Sequence, residues 1–352
     1  MLSEKRFTEF VRAASLASSG DNMQPWEFRK QEDTVEVFCA KPRVLPTDVT
    51  DMFAWVSVGA AIQNLVVAAA AHGLVASVEY STLEQVDKLA AVVRFLSGSM
   101  DDHLADWIVL RTTNRSPYQT LPLRPALISK LTQSVQGLNA GIHWTTVPSN
   151  LDRMASMDAN LSYIRLEHKP LFNELFDILR FTQKEIESYR YGLDFKSLEV
   201  PAAAALIARQ LPQRSIYRTI SRLGMGRLIA KKLSSRLCKA GALCLVTAQQ
   251  RNPAGYMEAG RAMEQLWLAA AAEGLSIHPY GVLPQYLTKV ELAPETFTPE
   301  YASIIESHRE PFYSIFPGAK NEYPAIVLRV GRADNPSPRS NIRLRPDQII
   351  RI

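Results

Sequence analysis

Residues 59–74 read GAAIQNLVVAAAAHGL and residues 260–275 read GRAMEQLWLAAAAEGL. Nine of the sixteen positions are identical without a gap. Both segments are rich in alanine and other strong helix formers, lack proline, and end in Gly-Leu, where glycine suits a left-handed C-cap. Both are apolar nearly all round, so both are expected to be buried helices. Alanine supplies five of the nine identities, so composition alone could make two core helices converge. The flanking order argues otherwise. A β-type run follows each helix, AAVVRFL at 90–96 and PAIVLRVG at 324–331. The spacing predicts two helix-and-sheet units in tandem, as a fused pair of ancestral subunits would have.

The rest of the chain fits that plan. Its 352 residues suit two lobes of roughly 150 residues each. An apolar share of 47% argues for filled cores. Residues 3–17 read as an amphipathic helix, WEFRKQ (26–31) and TVEVFCA (34–40) as a hairpin, and 103–110 and 124–136 as further helices. GIHWTTV (141–147) and GALCLVTA (241–248) read as strands, and 151–191 as strongly helical. Strands and helices mix without a strict βαβ rhythm, so the fold class is α+β. The lobes are expected at 1–105 and 106–352.

Charge and cysteine usage exclude little. A net charge of +5 suits phosphate-bearing ligands, nucleic acid or an anionic membrane equally. Cys39, Cys238 and Cys244 are odd in number and lack metal-site spacing, so reduced thiols in a cytoplasmic protein, with no metal, are expected. The N-terminal MLSEKRFTEFVRAA lacks an apolar h-region, so no secretory signal is expected. No run of about 18 uninterrupted apolar residues suggests a membrane span.

Three stretches could carry chemistry. The first is Ser18-Ser19-Gly20-Asp21-Asn22-Met23-Gln24-Pro25-Trp26. Its small residues allow close backbone approach to a ligand. Asn22 and Gln24 can donate and accept at once, which suits a heterocycle with mixed edges; the same stretch also reads as an ordinary helix-ending turn. The second is Arg111-Thr112-Thr113-Asn114-Arg115, a phosphate clamp or a solvated basic turn. The third is Arg332, Arg339, Arg343 and Arg345, after the last strand.

These stretches carry a resemblance. SSGDNMQPWEF resembles the S-x-x-N-x-Q-P-W segment of the nitroreductase superfamily, and RTTNRSPYQTLPL resembles the R-R-S-x-R segment that grips the FMN phosphate there. AEGLSIHPYG resembles the segment whose backbone amides face the flavin, and VGRADNPSPR the C-terminal strand with its phosphate-binding arginine. The resemblance extends from about residue 13 to 345, with a gap over about 151–240. It implies a nitroreductase-type fold duplicated in one chain, a monomeric pseudo-dimer similar to the single-chain, Acg-like flavoproteins. FMN is the implied cofactor. Arg111, Arg115 and Arg339 would hold its phosphate; Ser18, Ser19, Asn22 and Gln24 would reach its ring from the other lobe; Tyr280 and Gly281 would lie near N5. Thr112 stands where the family has a second arginine.

The motifs are unequally retained. The first half keeps N-x-Q-P-W, and the second half keeps the arginine segment but reads LNAGIHW where N-x-Q-P-W is due. That predicts one working site and one decayed site. The implied activity is an NAD(P)H-dependent reduction of a small organic acceptor, with the flavin itself as the reactive group and no acid–base residue assigned. FMN storage without turnover and a membrane-associated interaction protein are the rival functions.

A basic insertion at about 192–240 remains. No acidic residue lies between Glu199 and Glu258, and ten lysines or arginines do. Residues 203–236 read as broken helix with an apolar face. By resemblance the insertion is a lid over the flavin. By charge it suits peripheral contact with an anionic membrane or acidic partner; a solvated face is the third reading. Without aromatic interleaving, nucleic acid is not expected as a partner.

Overall fold

Phe7, Phe10, Val11 and Ala14 recur at helical spacing and bury one side of helix α1 (Glu4–Ser15), capped by the Ser3 hydroxyl accepting from the Arg6 N–H. The computed structural model describes all residues except 1, 83–86, 99–102, 200–208, 210–216, 218, 220, 223 and 336–341. After α1, β1 (Trp26–Gln31) and β2 (Thr34–Cys39) form the expected hairpin, with Trp26 opposite Cys39. Helix α2 (Met52–Ala70) and strands β3 (Leu74–Tyr80) and β4 (Leu89–Ser97) complete an antiparallel sheet of order β1-β2-β4-β3.

The second half repeats this plan with more between its strands. Helices α3 (Ala105–Leu110) and α4 (Pro125–Gln133) lead to β5 (Ala140–Thr145). The expected long helical stretch is divided into α5 (Pro148–Glu167), α6 (Lys169–Ile178) and α7 (Gln183–Tyr189). Pro170 sits in the first turn of α6, where its missing N–H is tolerated, and His168 before it is extended, so α5 cannot continue. A two-residue strand, β6 (Leu179–Arg180), precedes α7 and pairs in parallel with β7 (Leu193–Asp194). Helix α8 (Met225–Ser234) follows; most of 203–223, where broken helix is expected, lies outside the described residues. Then come β8 (Ala242–Ala248), α9 (Pro253–Ala272), β9 (Ser276–Tyr280), α10 (Val282–Leu292), α11 (Pro299–Glu306), α12 (Arg309–Ile315), β10 (Tyr323–Gly331) and α13 (Pro346–Ile349).

The second antiparallel sheet has the order β5-β8-β10-β9. In each sheet the order is first, second, fourth, third strand of its own set, and the repeated helix lies between the second and third. The chain is therefore α+β with two lobes of matching topology. The C-caps match as well: Gly73 and Gly274 adopt φ of 67° and 68°, which glycine takes without penalty.

Helices α2 and α9 pack against each other at the centre. Helix α2 has the length and apolar composition to cross a membrane, yet it is almost wholly buried inside the fold. Trp26, Phe28, Val58, Ile62, Leu266, Trp267, Val246 and Leu328 belong to one continuous core drawn from both lobes. The end of the chain returns to the first lobe. Ile350 bridges to Phe28 beside β1, the Arg351 N–H donates to the Phe28 carbonyl at 2.7 Å, and Arg351 pairs with Glu27.

Candidate functional site

A cavity of about 670 Å³ opens between the lobes, within the size range of small-molecule sites. The first lobe contributes the loop after α1 and the start of α2. The second contributes the segment after α3, the end of β9, and the α5–α8 region. Ser18, Ser19, Asn22, Arg111, Arg115, Tyr280 and Gly281 all reach its wall. Gln24 is fully buried behind the loop, and Arg339 lies outside the described residues. Arg343, four residues on, lines the cavity.

The loop is bent by three non-glycine residues with positive φ: Asp21 at 46°, Asn22 at 55° and Gln24 at 53°. Such backbone costs on the order of 1–3 kcal/mol per residue and persists where surrounding contacts overdetermine it. Here the contacts come from distant segments. Asp21 accepts from Arg165 at 2.8 Å. Asn22 donates to the Gly192 and Ile342 carbonyls and accepts from Arg343 at 2.9 Å. Gln24 donates to the Arg190 carbonyl at 2.9 Å and accepts from the Leu344 N–H at 2.9 Å. The Ser18 hydroxyl donates to Glu264 at 2.7 Å, and the Ser19 hydroxyl accepts from the Gln24 N–H. The two side-chain amides expected to face a ligand are thus occupied in shaping the wall.

Besides Arg165, the wall carries Arg111, Arg115, Arg236 and Arg343. Arg111 is held by Glu264 (Nε to Oε1, 2.8 Å), by the Leu16 carbonyl at 2.6 Å and by the Trp267 ring, 4.6 Å from its guanidinium. Arg115 is not a solvated turn residue: it donates to the Ser197 carbonyl, and burial, with Arg236 beside it, lowers its pKa. Arg236 forks onto the Leu198 carbonyl. Arg343 is pushed down to about 10 by burial and by Arg111, and its Nε has no partner.

His278 and Tyr280 lie beside Arg115 and Arg236, with ring centroids 4.5 Å apart. Burial, then Arg115, Arg329 and Arg236, hold His278 well below its usual pKa, so it is neutral at pH 7. Among the described residues His278 Nδ1 and the Tyr280 hydroxyl have no hydrogen-bond partner. Buried polar atoms are ordinarily satisfied, so these orphans, with Arg343 Nε, suit a polar, anionic ligand. The carboxylates on the wall do not cancel this pole. Asp21 is paired with Arg165, and Glu174 accepts from the Thr47 N–H and hydroxyl. Asp158, raised to about 6 by burial, accepts from Ser234 and Ser162, and Asp194 accepts from the Lys196 N–H.

The basic insertion covers part of the cavity. Phe195, Leu198, Tyr217 and, on α8, Ile229 and Ala230 face it. Ser234 anchors α8 by donating to Asp158 Oδ2 at 2.6 Å. Beyond the arginines the wall turns apolar, through Leu166, Leu171, Leu175 and Phe176. Sequence reasoning missed His278, Arg165, Asp158 and Glu264 as wall or support residues. Each is a single polar residue within an ordinary helix or strand, and no local pattern marks it.

The equivalent position on the other side of the lobe interface is built differently. Gly281 lets β9 pass close to Phe53, whose ring a Cβ there would strike. The repeat register places Tyr80 opposite Gly281, and Glu258 opposite the cavity residue Ser57. Tyr80 donates to Glu258, Arg261 pairs with Glu258 at 2.7 Å, and the Asn139 N–H donates to Glu258 at 2.8 Å. Side chains that bond one another stand there, where the first position borders a cavity.

No known protein-family profile matches the chain. It is similar to an uncharacterized protein, MT1398, of Mycobacterium tuberculosis (strain CDC 1551 / Oshkosh), with 26% identity over 339 residues. That match covers 95% of this chain and 47% of the relative, so the chain spans about half the relative's length. Among solved structures it is similar to a nitroreductase with bound FMN from Desulfitobacterium hafniense DCB-2 (12% identity, TM-score 0.36, 68% of this chain and 94% of that one). An FMN-dependent nitroreductase from Clostridium difficile R20291 gives 11% identity and a TM-score of 0.39 over 69% of this chain and 96% of that one. The FMN-dependent nitroreductase NfnB from Mycobacterium smegmatis, solved in complex with NADPH, gives 14% and 0.34 over 68% and 94%.

Proposed function

We propose that this chain is an FMN-dependent oxidoreductase of nitroreductase type, with one flavin site in the cavity between its two lobes. In this reading the lobes are 1–105 and 106–352, the chain is a monomeric pseudo-dimer, and a reduced nicotinamide is the electron donor. The observation that carries it is the buried arginine-bearing wall whose Arg343 Nε, His278 Nδ1 and Tyr280 hydroxyl have no hydrogen-bond partner among the described residues. The motif order of the sequence supports the same reading.

The residues present fit FMN. Arg115, Arg236 and Arg343 offer charge and forked donors to its phosphate, beside Arg339, which lies outside the described residues. The strained 19–22 loop and the Tyr280-Gly281 segment stand on the walls that would flank a planar ring. FMN, when bound, supplies the two-electron redox chemistry. The protein binds and orients it. The arginine pole favours negative charge in the cavity. Asp158 holds a proton below about pH 6. The α8 region limits water access from one side. Three unpaired cysteines support a reducing compartment, and we place the protein in the cytoplasm.

The test is purification, an absorbance scan, and identification of the flavin released by heat, followed by anaerobic addition of NADPH or NADH. Yellow protein that releases FMN and is bleached by either donor is expected. Protein that neither retains nor rebinds FMN overturns the reading. Yellow protein that no nicotinamide reduces supports flavin storage in its place.

A further inference from the structure

Helix α8 has two unlike faces. Gly226, Ala230 and Ser234, four residues apart, are buried against the body of the protein. Leu228 stands near the middle of the opposite face at 59% exposure, and Met225, at 42%, lies beside it where the helix borders the cavity. Lys231 and Lys232, three and four residues on from Leu228, flank it on neighbouring turns and are exposed. Arg222, Arg227 and Lys239 are exposed nearby. No carboxylate occurs in the sequence from 200 to 257 to neutralise them.

A solvated helix face has no reason to present leucine and methionine at its centre, and a buried face has no reason to present lysines. We propose that this face of α8 docks on an anionic lipid bilayer. Met225 and Leu228 would enter the boundary between headgroups and acyl chains, while the lysines would lie at the level of the lipid phosphates. Charge complementarity selects the occupant. The charged side chains of α8 itself, Arg227, Lys231 and Lys232, are all cationic, so it repels basic surfaces and attracts acidic ones. Nucleic acid offers the same negative charge but gives an exposed leucine nothing apolar to bury against, and the aromatic ring nearest these cations, Tyr163, is already covered by Arg227. The same helix borders the cavity through Met225, Ile229, Ala230 and Leu233, so docking sets that border of the cavity against the lipid. The inference does not depend on which ligand the cavity takes.

Flotation with vesicles tests it. The purified full chain is mixed at low salt with phosphatidylcholine vesicles, or with vesicles of phosphatidylcholine and phosphatidylglycerol at roughly 7:3, and the floated fraction is measured. Wild type is expected to float with the anionic vesicles and not with the neutral ones, and to be released as salt rises. The double variant Lys231→Gln, Lys232→Gln should bind about 30-fold more weakly, at about 1 kcal/mol for each cation near the surface. Leu228→Gln should also weaken binding, with an unchanged melting temperature because the side chain is exposed. Wild type that stays unfloated, or both variants floating like wild type, overturns the proposal. So does retention on duplex DNA at a salt concentration where the vesicles are not bound.

Discussion

Gly59 and Gly260 meet the opposite helix in reciprocal fashion. A Cβ on Gly59 would overlap the Met257 carbonyl oxygen, and a Cβ on Gly260 would overlap the Val56 carbonyl oxygen. The repeat register pairs Gly59 with Gly260 and Val56 with Met257, so each half makes on the other the contact it receives. That is the geometry of a two-fold interface, here closed within one chain.

Substitution at this crossing is expected to be costly. Gly59→Ala gains up to about 1 kcal/mol of helix propensity, but the methyl group must displace backbone, which costs about 1–3 kcal/mol or more. Net destabilisation in urea unfolding, matched by Gly260→Ala, is the expected result. A variant as stable as wild type would show that the helices can separate freely.

Arg343 lines the cavity, and its Nε has no hydrogen-bond partner among the described residues. Arg343→Ala should weaken FMN binding by about 1.5–3 kcal/mol, the range for a hydrogen bond to a charged group. Because Arg343 also holds Asn22, the melting temperature without FMN should be compared in parallel. Equal FMN affinity in titration by flavin fluorescence would remove Arg343 from the phosphate site.

Flavin stoichiometry follows from Tyr80 and Glu258. Their bonds occupy the position equivalent to the cavity, so one FMN per chain is expected. Absorbance of released flavin against protein concentration checks this. Two equivalents per chain would show that the second position also binds.

Lys289 is buried and its Nζ has no hydrogen-bond partner. Burial, offset in part by Asp48 and Glu174, pulls its pKa from 10.5 down to about 8. The unfolded chain therefore holds this proton more tightly than the folded one. Wild-type stability from this group rises with pH between about 8 and 10.5 and is least below that window. Lys289→Met should stabilise the protein by about 1–3 kcal/mol near pH 7, as apolar replacement of buried charge often does. The gain should shrink by about pH 9. Denaturant unfolding at the two pH values measures it, and a variant less stable than wild type at both would show that Lys289 is needed by Asp48 and Glu174.

Much of the frame is written in local pattern. The repeated Ala-rich helices, their Gly-Leu ends, the 26–39 hairpin and the strands at 90–96, 241–248 and 324–331 follow from periodicity and composition, which act over a few residues. Strand β9 was legible only as part of a motif, because His278 and Pro279 interrupt its apolar run. The sequence also placed seven of nine expected site residues on what became one cavity wall, since the loop after α1 and the segment after α3 keep a recognisable order.

What each side chain does on that wall was decided by tertiary structure. Asn22 and Gln24 have amides that could face a ligand, yet the return of 342–344 and the approach of 190–192 supply backbone partners. A polar group takes whichever partner the fold brings near, and these lie more than 160 residues away in sequence. Arg111 looks like Arg115 in sequence, but Glu264 and Trp267 engage the first, and the second extends toward Ser197. Composition fixes which charges exist and short-range pattern fixes the helices and strands that carry them. Only the packing of distant segments decides which charges are paired, which are buried, and which are left facing open space.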